Sequence, residues 1–345
     1  MNNRSINLDV IRILAFLFVV SVHSFTNLEW YQQTISNSSY FPVLILRDFF
    51  IICVPLFMLI SGYLLKNRKF SIEHYKKIFK VIIIYIIASI IVILFRKYYL
   101  NESFNFTSIV LNILNFKGAP YAWYIEMYIG LFLLVPFLNI IYDSLKTKQN
   151  RKWLILIMIF LTILPNILNI KYKIVPGYWV NFYPVTYYFV GAYLRDYKIE
   201  IKTYKKILFL IIFLLLFGLF EYFVCKGKIF NWSIYNTYNG LPFITACIVF
   251  DLLVNVNFKR VSNKLSEFLK KCSSVTLGAY LVSYIFDSFI YKLFDNISFF
   301  HNHIIIRGVI SIIVVFIFSI ILSMLIQLLY NGLRKLNSFL INLKN

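Results

Sequence analysis

Ten apolar stretches, each parted from the next by a short polar loop, leave this 345-residue chain few folds to choose from. They lie near 8–26, 43–65, 78–96, 121–142, 153–170, 180–195, 206–224, 241–257, 273–292 and 304–330. Each is long enough, or nearly so, to cross a hydrocarbon core of roughly 30 Å as an α-helix. The sixth is the shortest and contains Pro184. Lipid offers backbone N–H and C=O groups no partners, so spans of this kind must be helical. The expected fold class is all-α: a polytopic, multi-pass protein of the cell membrane with about ten transmembrane helices in a single integral-membrane domain over 1–345. The longest polar stretches, near 97–120 and 225–240, are too short for a separate soluble domain.

Charge gives the crossings a direction. The net charge of +21 would suit nucleic acid, but the basic residues are dealt out among the short loops, so nucleic acid is not an expected partner and membrane lipids are. One alternate set of loops and termini holds 24 Lys and Arg and the other holds eight, while Arg12, Arg47 and Arg307 fall within spans. Under the positive-inside rule both termini are expected in the cytoplasm, which also agrees with an even number of spans. No cleavable signal peptide is expected, because the first apolar stretch carries both Arg12 and His23. The four cysteines have neither metal-type spacing nor an evident disulfide pattern.

Arg12 and His23 are eleven positions apart in LDVIRILAFLFVVSVHSF. At about 100° and 1.5 Å per residue, the two side chains share one helix face and stand roughly 16 Å apart along it. An ionisable residue at the centre of a membrane helix costs about 2.5–3.5 kcal/mol on insertion scales, so such residues mark function by default. Taken singly, Arg12 also fits an anchor that snorkels to the interface, and His23 a satisfied interior histidine. Their common face favours function: a cation toward the cytoplasm and a proton-transfer group toward the outside.

Other charges acquire depths in the same frame. Asp9 stands at i,i+3 from Arg12 and is expected to pair with it. It lies about 21 Å from His23 along the axis, too far to orient the imidazole. The fourth stretch runs inward from the outer face, which puts Glu126 about 7 Å below that surface, at the depth of His23. Glu126 also fits half of a structural ion pair with Arg47 or Arg307. Asp287, Glu221, Arg47 and Arg307 fall in the outer third, and Asp251 lies on the cytoplasmic side, where it could join Arg12. Asp251, Glu221 and Asp287 read as structural. His301 and His303 lack a third ligand for a metal and read as solvated loop residues. His74, in a lysine-rich loop, is also expected to be solvated.

These residues resemble the acyltransferase family 3 membrane enzymes. That family opens with a basic residue, ten intervening residues and a histidine, matched by Arg12 and His23. Its second helix ends in a phrase similar to VPLFMLISGYLL, residues 54–65, which contains Ser61. A cytoplasmic R-x-x-R motif is represented by Lys77 and Lys80, and AWYIEMYIGLFLLVPFLN, residues 122–139, resembles the fourth helix with its Trp123 and Tyr124. YYFVGAYL (187–194) and GAYLVS (278–283) resemble two later segments. The resemblance covers about 10–330, and ten spans with both ends inside is also the family arrangement. Three departures stand out. Lys replaces Arg at both cytoplasmic positions, Ser283 stands where many members have histidine, and Tyr121 and Ala122 replace a frequent His-Leu.

The resemblance implies transfer of an acyl group, usually acetyl, from cytoplasmic acyl-CoA to a hydroxyl of an extracytoplasmic or lipid-linked glycan. Acyl-CoA is then a co-substrate, with no bound cofactor and no metal. Arg12, Lys77 and Lys80 would meet the CoA phosphates. His23 would serve as general base or as an acylated nucleophile, with Glu126 orienting or charging it. Asp9, Trp123, Tyr124, Ser61 and Arg47 would support the site. A transporter or flippase for lipid-linked saccharides, a polysaccharide export component and a non-catalytic scaffold are the competing readings. Inverted repeats and broken midplane helices would favour transport.

Overall fold

A computed structural model describes residues 5–169, 171–230, 237–258 and 261–342, with side chains to 336. Arg4, Lys259, Arg260 and Lys344, which enter the loop-charge comparison, lie outside the described residues. The described residues are all-helical, with no strand beyond one isolated bridge between Thr34 and Ile229. In chain order the helices are α1 (Ile6–Asn27), α2 (Tyr40–Phe50), α3 (Cys53–Leu65), α4 (Ile72–Lys76), α5 (Ile78–Tyr98), α6 (Phe106–Leu114), α7 (Trp123–Ser144) and α8 (Lys148–Thr162). Then follow α9 (Leu164–Leu168), α10 (Tyr183–Asp196), α11 (Thr203–Cys225), α12 (Pro242–Val254), α13 (Asn263–Ser274), α14 (Thr276–Asp295), α15 (Ser298–Asn302) and α16 (Ile304–Asn342).

Six stretches are long and apolar enough to cross a membrane unaided: Ile6–Asn27, Tyr40–Leu65, Ile72–Tyr98, Trp123–Ser144, Thr203–Cys225 and Ile304–Leu336. The bent pair α13 and α14 makes a seventh if taken as one span. The ten apolar stretches of the sequence all contain helix, but three of those helices are short. α12 has 13 residues and α10 has 14, about 20 Å each at 1.5 Å per residue. α8 stops at Thr162, one turn before Pro165 in the first turn of α9. The break at Ile51–Ile52 between α2 and α3 has a similar cause, because the ring of Pro55 cannot sit against a helical carbonyl four residues back.

The chain forms two compact units, Met1–Lys69 with Leu134–Leu269, and Phe70–Leu133 with Lys270–Asn345. In the first, α1 packs on α2, α3 and α12, and α3 packs along α10. Gly62 of α3 and Gly191 of α10 make that last contact possible. A Cβ on Gly62 would run into the Tyr188 carbonyl, and one on Gly191 into the Leu59 carbonyl. Small residues let membrane helices approach this closely, where dispersion rather than the hydrophobic effect holds them together. The SGYL and VGAYL phrases are therefore two halves of one packing joint. Asn139 of α7 adds a polar tie: its amide donates to the Leu65 and Arg68 carbonyls (2.9 and 2.8 Å) and accepts from the Tyr188 hydroxyl (2.7 Å).

In the second unit α14 lies along α16 and α5. Gly278 brings α14 against Ser323 of α16, whose hydroxyl donates to the Val275 carbonyl at 2.6 Å, where α13 gives way to α14. The GAYLVS phrase, too, packs through its glycine.

Candidate functional site

α1 runs unbroken from Ile6 to Asn27, so the eleven-residue spacing of Arg12 and His23 keeps both on one face. Its start is anchored by Asn7, whose side chain donates to the carbonyls of Leu253 in the last turn of α12 and of Val256 just beyond it (2.9 and 2.8 Å). Arg12 meets the buried Asp9 at 3.2 Å, the expected i,i+3 pair. His23 is half-buried near the other end, where the Asn27 amide donates to its carbonyl at 3.0 Å. Ser61 is buried, and its hydroxyl donates to the Phe57 carbonyl of its own helix at 2.9 Å.

Two charges of the first unit have partners that their place in the sequence did not indicate. Asp251 was expected within reach of Arg12. It is held instead by Lys206 of α11, 2.5 Å away, with Asn255 on its other oxygen at 3.2 Å. Lys206 reaches across because α11 and α12 pack side by side. Arg47 is fully buried, 3.3 Å from Asp48, with its guanidinium over the Phe230 ring at 5.1 Å. Tyr31 and the buried Glu221 complete this cluster. Desolvation raises the pKa of the Tyr31 phenol, and the neighbouring Arg47 guanidinium pulls it back down.

The second unit holds the other sequence-derived residues. Lys77, at the joint of α4 and α5, and Lys80, one turn on, are exposed, and Lys80 Nζ stands 5.7 Å from the Tyr330 ring centre. His74 departs from expectation. It is buried, stacked on Phe132 at 4.2 Å and 6°, with Nε2 3.1 Å from the Phe132 carbonyl. Folding α4 back against α7 removes it from the solvent that its lysine-rich neighbours suggest. On α7, Tyr124 is buried, while Trp123 and Glu126 are exposed. Arg307, a proposed partner for Glu126, is paired with Asp295. His301 is exposed with Nδ1 3.2 Å from Asp295, and His303 bonds the Phe299 carbonyl at 2.8 Å. Among the described residues no group of three or more His, Cys, Asp or Glu is placed to hold a metal.

One polar constellation of this unit centres on Asp287, which the sequence presents as structural. The Tyr121 hydroxyl donates to Asp287 Oδ2 at 2.9 Å, and the Tyr280 hydroxyl donates to the Tyr121 carbonyl at 2.6 Å. Ser283, one turn before Asp287, is buried and donates to the Tyr280 carbonyl at 2.9 Å. The available signal was the pair of departures noted in the resemblance, at Tyr121 and at Ser283. They lie on segments that meet at Asp287.

Compared with known families, the chain matches the model described as an acyltransferase domain, that of acyltransferase family 3, over residues 5–328. No curated protein and no solved structure matches it.

Proposed function

From the premise that the chain belongs to acyltransferase family 3, we propose that it moves an acyl group, preferentially acetyl, from cytoplasmic acyl-CoA to a hydroxyl of an extracytoplasmic or lipid-linked glycan. Membrane acyltransferase character follows from the family and from the long apolar helices. The donor, the acceptor and the orientation are our reading. In it the chain crosses the cell membrane ten times with both termini cytoplasmic, takes acyl-CoA as co-substrate and carries no bound cofactor. Its surroundings are membrane lipids rather than nucleic acid.

One observation carries the reading: Arg12, steadied by Asp9, and His23 lie on one face of a single unbroken helix. Arg12, Lys77 and Lys80 meet the CoA phosphates, the lysines as point charges. At the outer end His23 acts by one of two routes. As general base, its imidazole takes the proton of the acceptor hydroxyl while that oxygen attacks the thioester carbonyl and the CoA thiolate departs to be protonated. As nucleophile, the imidazole displaces CoA first and hands the acyl group on. Glu126 is assigned beside it from its depth in the sequence, with Trp123, Tyr124, Ser61 and Arg47 as supporting residues.

Membranes carrying the protein, given radiolabelled acetyl-CoA, are expected to transfer label to glycan. His23→Ala is expected to abolish transfer while the protein still inserts and folds. Full glycan acylation by that variant would remove His23 from the chemistry. Trapping of labelled protein by acid quench separates the nucleophile route from the base route. Absence of transfer by the unmodified protein would favour transport of lipid-linked saccharides instead.

A further inference from the structure

Asp287 is 2% exposed, and its two oxygens are treated unequally. Oδ2 accepts from the Tyr121 hydroxyl at 2.9 Å, whereas Oδ1 is buried with no hydrogen-bond partner among the described residues. A carboxylate oxygen removed from water without a donor is among the more unfavourable arrangements in a protein, and native exceptions call for an explanation. No other described residue of the unit supplies one. Lys292, the basic residue in the last turn of α14, is exposed, and Arg307 is already paired with Asp295.

The surroundings identify the missing donor. Tyr121 faces Tyr284 edge-on at 5.8 Å and Tyr280 at 6.2 Å, and Tyr280 in turn meets Tyr124 at 5.8 Å. Tyr124 and Tyr280 are buried, whereas Tyr121 and Tyr284 are only half-buried and form the exposed side of this tyrosine cluster. Ring faces that cover C–H surfaces, around an acceptor that takes O–H groups, are the chemistry of carbohydrate recognition. The Tyr280 hydroxyl fixes the Tyr121 backbone, and the Tyr121 hydroxyl fixes the carboxylate, so the group is held in place before a ligand arrives.

We propose that Asp287 Oδ1 accepts a hydrogen bond from a hydroxyl of the acceptor glycan beneath the tyrosine layer of Tyr121, Tyr124, Tyr280 and Tyr284, making Asp287 a binding residue and Tyr121 its positioning residue. The proposal rests on the glycan-acceptor reading above and deepens it. It also gives the departures at Tyr121 and Ser283 a shared consequence. Histidine at either position would add a donor or bulk beside Asp287, whereas this chain leaves one oxygen open.

The test uses the full chain in nanodiscs, with de-O-acylated envelope polysaccharide from the host cell as acceptor probe and acetyl-CoA as donor. Asp287→Asn and Tyr121→Phe both keep shape. Loss of a hydrogen bond to a charged group is expected to raise the KM for polysaccharide about tenfold to a hundredfold for Asp287→Asn, and less for Tyr121→Phe. The KM for acetyl-CoA should stay unchanged in both. Binding of the polysaccharide, read by thermophoresis without any donor, should weaken in the same order. An unchanged acceptor KM and affinity in folded variants would overturn the proposal. So would a rise confined to acetyl-CoA, which would place the donor's pantetheine amides at this site, or no binding of polysaccharide by the unmodified protein. If Asp287→Asn does not fold, Tyr121→Phe carries the same comparison. Polysaccharide binding that depends on Asp287, with no label transferred, would defeat the acyltransfer reading and leave this one standing.

Discussion

Arg12 Nη1 lies 3.2 Å from Asp9 Oδ1, one turn away on the same helix. Asp9 is buried and the arginine side chain is 23% exposed, so the pair is partly shielded from water. A carboxylate one turn away holds the guanidinium in place, and a guanidinium is the side chain best shaped to meet a phosphate.

Removing that support should loosen the donor site without abolishing it. Asp9→Asn is expected to raise the KM for acetyl-CoA roughly fivefold, equivalent to about 1 kcal/mol. Arg12→Ala should raise it further. Equal KM values for Asp9→Asn and the unmodified protein would detach Asp9 from Arg12's role.

The joint between α3 and α10 should resist even one added methyl group. Gly62→Ala and Gly191→Ala each force a Cβ onto a facing carbonyl. Overpacking of this kind costs about 1–3 kcal/mol, with backbone less able to yield than a side chain. Thermal unfolding in detergent, followed with a thiol-reactive dye on the four free cysteines, three of them buried, reads the loss. A melting temperature within error of the unmodified protein for both variants would refute the packing account of the two motif glycines.

The Lys206–Asp251 pair is expected to behave as a buried ion pair. The side chains are 12% and 2% exposed, and taking away one partner strands the other charge at a cost of about 3–5 kcal/mol. Lys206→Met should therefore unfold well below the unmodified protein, and the double variant Lys206→Met with Asp251→Asn should recover part of the loss. A double variant no better than the single one would mean that the two charges are not coupled.

His74 is expected to matter for stability rather than for acyl transfer. Its stack on Phe132 contributes about 0.5–1.5 kcal/mol, and His74→Ala removes both the stack and the bond to the Phe132 carbonyl. A lowered melting temperature with unchanged kcat is the expected result. Lost transfer in a protein of normal stability would bring His74 into the site.

What was legible in the sequence was local. Apolar runs announce helices because lipid leaves the backbone no alternative, and the 100° step of an α-helix puts Arg12, His23 and Asp9 on their shared face. The family phrases could be found by their order, but not what they do: Gly62, Gly191 and Gly278 serve helix approach. Charge partners were less legible. Asp251 goes to Lys206, 45 residues earlier, because α11 and α12 pack together. His74 is buried although its neighbours in sequence are lysines, since burial depends on which helix lies against it.

The sequence by itself determined that this is an all-helical membrane chain with a cation and an imidazole spaced along its first helix. Those features follow from composition and from a periodicity that every residue of a helix obeys. Only the tertiary structure decided that Tyr121 and Asp287, 166 positions apart, share a hydrogen bond, and that the second oxygen of Asp287 is buried with no hydrogen-bond partner among the described residues. No local rule links two such distant residues. The packing of α14 alone brings the carboxylate to the tyrosine.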